Sequence, residues 1–131
     1  MLPFTHLHCH TQFSLLDGAA SIKGIMAKAK KDGMKAVALT DHGNMFGAFA
    51  FVAEANNQGI KPIVGCEFYV VKDRFHKTFK KGEKDKRYHQ LLLAKNIEGY
   101  QNLSKLCSLG FIDGLWSKFP RIDKEDRKSV V

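Results

Sequence analysis

The chain has 131 residues, of which 44% are hydrophobic and 26% are charged, and its formal net charge is +8. These values are typical of one globular domain, and no apolar run approaches the roughly 20 residues that a membrane-spanning helix needs. The three cysteines have unrelated spacing, which argues against a disulfide framework. The start lacks a basic region followed by an apolar stretch, so no secretory signal is predicted. Together these features predict a cytoplasmic protein without a membrane partner.

The first third of the chain predicts a strand, a helix and a second strand. Residues 4–8 are predicted to form a short strand. Ser21 is expected to cap a helix that runs to about Asp32, because apolar residues recur at helical spacing behind it and Gly33 suits its left-handed end. Residues 36–40 read AVALT, a continuous apolar run that is typical of a parallel strand covered on both faces.

A second helix is predicted over residues 45–58. Its inner face is expected to carry Phe49, Val52 and Ala53, and Gly59 is expected to end it.

Two further strands and a third helix follow. The strands are predicted at residues 62–71 and 89–95. The helix is predicted at residues 97–109, with Asn96 as its cap and Gly110 as its end. The whole order is strand, helix, strand, helix, strand, strand, helix.

This alternation predicts an α/β fold with parallel βαβ units, in either an open sheet or a barrel. Both architectures bind ligands at the carboxyl ends of their strands. His89 opens its strand, so a parallel strand would place it at the wrong edge. We therefore expect the strands at 62–71 and 89–95 to form a long hairpin, which returns His89 to the side of Glu67.

The tip of this hairpin, residues 71–88, is strongly basic. Residues 72–88 contain eight basic and three acidic side chains, a net charge of +5. Such a run is usually a solvated loop. The alternative is a contact with the phosphate backbone of nucleic acid, because clustered cations gain affinity by releasing counterions. The residues expected to make that contact are Lys77, Lys80, Lys81 and Arg87.

Histidines and carboxylates concentrate near the predicted strand ends. The segment THLHCHTQFSLLDG places three histidines at alternate positions, which a strand would aim at one face. Imidazole mixed with carboxylate suits Zn, Mn or Fe better than Mg or Ca, and a set of this size indicates two or three divalent ions. Such clusters hydrolyse phosphoesters. The candidates are His6, His8, His10, Asp17, Asp41, His42, Glu67 and His89.

The candidates are expected to play different roles. His8 and His10 form the strongest pair of candidate ligands. His6 is expected to be structural or to support a ligand by a hydrogen bond. Asp41 is expected to orient His42 instead of binding metal itself.

Four segments carry a resemblance to a known family: HLHCHTQFSLLDG, LTDHGNMFGAF, KPIVGCEFYV and YHQLLLAKNIEGYQNLSKLCSLGF. They resemble the PHP (polymerase and histidinol phosphatase) domain at the N-terminus of bacterial DNA polymerase III alpha subunits, in its Bacteroidetes-like version. The resemblance implies the N-terminal part of a distorted (βα)7 barrel that is incomplete in this chain. The partial domain is expected to span residues 1–125. Residues 126–131 (DRKSVV) match nothing in the family pattern and are expected to be a non-native tail.

The resemblance also implies a ligand set. Other ligands of the family, a cysteine and a later Asp-x-His, would belong to strands beyond residue 131, so the segment alone is expected to be inactive. The family's metal ligands that map onto this sequence are His8, His10, Asp17, His42, Glu67 and His89.

By the same resemblance, the parent protein would be a DNA-directed DNA polymerase whose PHP domain carries a multinuclear metal phosphoesterase site. A 3′–5′ proofreading exonuclease is the activity implied, and the partners implied are DNA, the separate exonuclease subunit and the sliding clamp. One alternative is a non-catalytic scaffold that stabilises the polymerase and docks the exonuclease subunit. The other is a stand-alone PHP phosphatase, which the polymerase-type segment after His89 disfavours.

Overall fold

The computed structural model describes residues 4–130, with side chains described through Arg127. No helix within these residues combines the length and apolarity needed to cross a membrane. In chain order the elements are α1 (Ile22–Lys31), β1 (Ala36–Leu39), α2 (Ala48–Gln58), β2 (Lys61–Val70), β3 (Tyr88–Leu93), α3 (Ile97–Ile112), β4 (Arg121–Ile122) and α4 (Lys124–Val130).

The sheet is built around β2. β1 runs parallel to the first half of β2 and pairs Leu39 with Val64, while β4 runs parallel to its end and pairs Tyr69 with Arg121. β3 lies antiparallel to β2 and pairs His89 with Tyr69. The predicted βαβ unit and long hairpin are therefore confirmed. The residues just after β1 and the start of β3 both reach the carboxyl half of β2.

Two apolar clusters hold the helices on this sheet. The first joins α1, α2 and β1 through the buried side chains of Met26, Phe51 and Leu39. The second joins α3 to β2 through Leu106 and Phe68. Burying one side chain of this size contributes roughly 1.5–3 kcal/mol, so the two clusters fix the strands whose ends carry the polar candidates.

The predicted helix ends are confirmed at most positions. The side chains of Ser21 and Asn96 each accept a hydrogen bond from the backbone N–H three residues later, which caps α1 and α3. Gly33 and Gly59 follow α1 and α2 with φ of 73° and 70°, a conformation that residues with a Cβ adopt only at a cost.

The predicted strand at residues 4–8 does not form, although the segment still hydrogen-bonds to the edge of β1. The Ala38 amide donates to the His6 carbonyl and the Thr40 amide donates to the Cys9 carbonyl, both at 2.9 Å. The two donors are two residues apart, whereas the two acceptors are three residues apart. The N-terminal segment therefore has one extra residue between these hydrogen bonds, and the chain bends at residues 7 and 8. The bend interrupts the alternation, so the expectation that all three histidines share one face is wrong.

The predicted inner face of α2 is also wrong. Phe49 is 87% exposed and Ala53 is exposed, whereas Ala48, Phe51 and Ala55 are buried. Apolar residues occupy most positions in the first half of this helix, so periodicity alone did not decide its orientation. Packing against α1 and β1 did.

Helix α3 continues past its predicted end at Gly110 and reaches Ile112. Gly110 is buried, and a Cβ there would lie 3.3 Å from the backbone carbon and side chain of Pro120. This glycine therefore allows the segment before β4 to approach the helix closely, and it does not terminate the helix. β4 and α4 were not predicted.

Hydrogen bonds from the side chain of Arg121 link the connection between β2 and β3 to the turn that follows α3. Its side chain is 1% exposed. Nε donates to the Gly114 carbonyl at 2.9 Å, and Nη2 donates to the carbonyls of Arg74 and His76 at 2.9 and 3.1 Å. Nη1 donates to Oδ1 of Asp85 at 3.0 Å. Residues 71–87 contain no helix or strand, so these bonds fix much of their path.

Arg74 makes the reciprocal attachment to the segment that begins α4. Its Nη1 lies 3.1 Å from Oδ2 of Asp123 and 2.5 Å from Oδ1 of Asp126. The two carboxylates also accept each other's backbone N–H groups, as in a capping box. Burial alone would raise the pKa of Asp123, but hydrogen bonds from the Asp126 amide and from Arg74 lower it. The basic segment is therefore anchored, and the interpretation as a solvated loop holds only for its exposed lysines.

The expected non-native tail lies mostly within α4. Asp126 is buried, whereas the side chains of residues 128–130 and all of residue 131 lie outside what the structure describes. The origin of residues 126–131 stays a prediction.

Candidate metal centre

Four imidazoles surround the carboxylate of Glu67. This side chain projects from β2, and the residue is only 3% exposed. Nε2 of His8 and Nε2 of His10 lie 2.6 and 2.5 Å from Oε2, and Nδ1 of His42 lies 3.6 Å from the same oxygen. Nδ1 of His89 lies 2.6 Å from Oε1. The two carboxylate oxygens thus face different imidazoles.

The register of the hairpin places His89. Glu67 pairs with Leu91 across the two strands, so His89 is two residues along on the same face. Residue 42 extends the line of β1 and forms an isolated parallel bridge with Glu67. The Glu67 amide donates to the Asp41 carbonyl at 3.0 Å, and the Glu67 carbonyl accepts from the Gly43 amide at 2.9 Å. The predicted return of His89 to Glu67 is confirmed.

A buried carboxylate positions the turn that follows His10. Oδ1 of Asp41 accepts from the Thr11 amide at 2.6 Å and from Oγ of Ser14 at 2.7 Å, while Oδ2 accepts from Oγ1 of Thr11 at 2.7 Å. Oγ of Ser14 in turn accepts from the His42 amide at 3.1 Å. Asp41 therefore supports the site through Thr11 and Ser14, and the Ser14 hydroxyl connects it to the backbone of His42. That Asp41 orients His42 instead of binding metal stays a prediction.

The donor set fits a divalent cation. Nδ1 of His42 is buried and has no hydrogen-bond partner among the described residues, as a nitrogen reserved for an ion would be. Burial lowers the pKa of His42, and the neighbouring His10 lowers it further, which favours the neutral form that binds metal. For Glu67, burial alone would raise the pKa, but hydrogen bonds with His8 and His10 lower it and keep the carboxylate ionised.

These donors form two overlapping groups that share Glu67. His8, His10 and Glu67 form one group, and His42, Glu67 and His89 form the other. Within each group all the donor atoms lie within 4.8 Å of one another. A carboxylate that belongs to both groups can bridge two ions.

Besides Asp41, two predicted residues lie outside these groups. Asp17 is exposed, and it lines a cavity together with His42. His6 is exposed, its ring lies 4.8 Å from that of Phe4, and its carbonyl bonds to β1. The roles of Asp17 as a ligand and of His6 as a supporting residue stay predictions.

The predicted nucleic-acid residues separate in space. Arg87 lines a cavity with His42 and His89, beside the centre. Lys77, Lys80 and Lys81 do not line that cavity. Arg87 is therefore the one member of this predicted set that borders the metal centre.

Sequence reasoning missed the contribution of Tyr69. Its ring stacks on His42 with centroids 5.8 Å apart and meets His89 edge-on at 5.2 Å. Burial raises its pKa, and the nearby Asp17 and Glu67 carboxylates raise it further. The available signal was strand alternation, because residues 67 and 69 of one strand share a face.

Comparison with known proteins agrees with this geometry. A model of the PHP domain family matches residues 6–129. The chain is 52% identical over 126 residues to the DNA polymerase III subunit alpha of Borreliella burgdorferi, covering 94% of this chain and 11% of that protein. It is 47% identical over 127 residues to the Thermus aquaticus subunit, covering 95% and 10%. The chain thus spans about a tenth of the length of these curated relatives.

A solved structure has the same fold. It is described as a "putative metal-dependent phosphoesterase" from Bifidobacterium adolescentis, and it matches with a TM-score of 0.54 at 22% identity. The match covers 82% of this chain and 34% of that chain. The expected α/β fold, the N-terminal part of a PHP barrel, is confirmed.

Proposed function

This chain belongs to the PHP domain family, and on that premise we propose that it carries most of a multinuclear metal site that hydrolyses phosphodiesters. The observation that supports this proposal is the placement of the Glu67 carboxylate among four imidazoles. A buried carboxylate with one oxygen toward His8 and His10 and the other toward His89 is suited to joining two cations.

The donor types favour Zn, Mn or Fe, in two or three ions. Imidazole nitrogens outnumber carboxylates here, whereas Mg and Ca prefer shells of oxygen. His8 with His10 would hold one ion, and His42 with His89 would hold the second. Asp17, at the edge of the adjoining cavity, is the candidate ligand for a third. When bound, the ions supply a water of lowered pKa and stabilise charge on the phosphoester oxygens.

The protein residues around this centre orient an anionic substrate. Arg87 and Lys118 line the cavity that adjoins His42 and His89, as do the carboxylates of Asp17 and Asp85, and Arg87 is paired with Asp85. Lys118 is therefore the cationic side chain that a phosphate would meet there. The bonds from Asp41 to Thr11 and Ser14 hold the segment that carries His8 and His10. The reaction we propose is removal of the 3′-terminal nucleotide from single-stranded DNA.

We also propose that the parent protein is a DNA polymerase III alpha subunit. The support is the identity of 46–52% to subunits of that name, over 91–95% of this chain. Its partners would then be DNA, the separate exonuclease subunit and the sliding clamp.

A full-length alpha subunit that begins with this segment provides the test. Glu67→Gln removes the charge at the centre, and Glu98→Gln removes an exposed charge in the first turn of α3 as a matched control. We expect Glu67→Gln to lower metal content and to abolish 3′-end hydrolysis while polymerisation continues. The control should retain metal content, 3′-end hydrolysis and polymerisation. Full hydrolysis by Glu67→Gln would contradict the proposal, whereas metal binding without any hydrolysis by the unmodified subunit would identify a scaffold.

A further inference from the structure

An aromatic cleft adjoins the metal centre and has no role in the site described so far. Its volume is about 550 Å³, within the range of pockets that bind small molecules. His42 and Tyr69 line it on the side of the metal centre. Phe46, Phe111 and Phe119 also line it, and the rings of Phe46 and Phe111 lie 5.8 Å apart.

The cleft exposes apolar side chains that the fold does not cover. Phe46 is 63% exposed and Leu16 is 90% exposed. Leu16 has a φ of 70°, a left-handed conformation that is strained for a residue with a branched side chain. The turn that imposes it is fixed by a hydrogen bond from the Gly18 amide to the Ser14 carbonyl, at 2.7 Å.

The aromatic side chains and the imidazoles are joined by a surface of mixed charge. Lys118, Phe119 and Asp17 line this cleft and also the cavity that contains Arg87 and His89. Arg87 is paired with Asp85, and its guanidinium carbon lies 3.7 Å from the centroid of the Phe119 ring. Lys118 is therefore the cation of this surface that has no carboxylate partner among the described residues, and it is placed to meet a phosphate.

These groups match one nucleotide. An aromatic base would stack at the apolar end, and the phosphate would lie by Lys118 and the imidazoles. We propose that the cleft seats the base of the 3′-terminal nucleotide, with Phe46 as a stacking residue. The proposal rests on the proposed phosphodiesterase function and adds the substrate subsite and the residue that positions the substrate.

The test compares a short oligodeoxythymidylate with the same oligonucleotide lacking its 3′-terminal base. Affinities are measured by fluorescence anisotropy on the 131-residue chain in EDTA, so that no hydrolysis occurs. Stacking on one aromatic side chain is worth at least about fivefold in affinity. We therefore expect Phe46→Ala to weaken binding of the complete oligonucleotide by that factor and to leave binding of the oligonucleotide without its 3′-terminal base unchanged. Phe46→Tyr should restore it. Phe49→Ala, an exposed phenylalanine of α2 that does not line the cleft, should change neither affinity.

Two results would overturn the proposal. One is an equal loss for both oligonucleotides in Phe46→Ala, and the other is no loss for either. In the second case, a melting temperature of the full-length subunit that is lower in Phe46→Ala than in Phe49→Ala would show that another part of that protein covers the cleft. Base-dependent binding together with no DNA hydrolysis by the metal-loaded full-length subunit would instead refute the phosphodiesterase and leave the subsite standing.

Discussion

Oε1 of Glu67 lies 2.6 Å from Nδ1 of His89, although 21 residues separate them along the chain and the anchored basic connection joins their strands. The contact depends on the antiparallel register of β2 and β3, which places the two side chains on one face. The donor group of His42, Glu67 and His89 depends on that register.

The first prediction concerns the ligands. His8→Ala combined with His10→Ala should remove at least one equivalent of metal, because both nitrogens face the same oxygen of Glu67. Elemental analysis of protein loaded with Zn or Mn measures this loss. His76→Ala is the control, since His76 lies in the basic connection outside both donor groups. Unchanged stoichiometry in the double variant would reject the assignment.

The second prediction concerns Asp41. Asp41→Ala leaves buried donors on Thr11 and Ser14 without their acceptor, and it should lower the free energy of unfolding by about 2–5 kcal/mol. Urea unfolding followed by circular dichroism measures the change. Asp32→Ala breaks only an exposed ion pair with Lys28 and should cost less than about 1 kcal/mol. Similar losses for the two variants would show that Asp41 is not a structural anchor.

The third prediction concerns Arg121. Arg121→Lys cannot reproduce the fork of donors that reaches Gly114, Asp85 and two carbonyls of the connection. We expect hydrogen exchange to accelerate at least tenfold in residues 71–87, with little change in α1. Arg127→Lys, an exposed substitution, serves as the control. Unchanged protection of the connection would mean that other contacts hold it.

The fourth prediction concerns acid stability. The folded state lowers the pKa of Asp123, so the ionised carboxyl stabilises the protein above the ordinary aspartate pKa. That contribution is lost as the pH falls through the lowered value. Asp123→Asn should therefore destabilise the protein most near neutral pH, and its difference from the unmodified chain should shrink in acid.

The pKa shift of the neighbouring carboxyl, Asp126, has the opposite sign. Burial raises the pKa of Asp126, so its ionised form is the less favoured one in the folded state. Urea titrations at several pH values, with Asp126→Asn beside Asp123→Asn, separate the two contributions. A difference for Asp123→Asn that grows on acidification would contradict the sign argued here.

The sequence by itself determined the types and the order of the elements from α1 to α3, and it named the residues that form the two candidate donor groups. Helical spacing behind Ser21, the left-handed glycines and the apolar run at residues 36–40 are local signals, because each depends on neighbours within a few residues. The alternating histidines and the position of His89 at the start of a strand were also visible locally. Together they were enough to predict the hairpin and the approach of His89 to Glu67.

Only the tertiary structure decided the contacts between distant segments. The bend at residues 7 and 8, the outward Phe49, the close approach at Gly110 and the bonds of Asp41 each arise from packing against another part of the chain. Arg121 is the clearest case: this cation is buried because four acceptors converge on it from the connection and from the turn after α3. A polar group can be buried without a large cost in free energy only where hydrogen-bond partners surround it, and the fold alone brings those partners together.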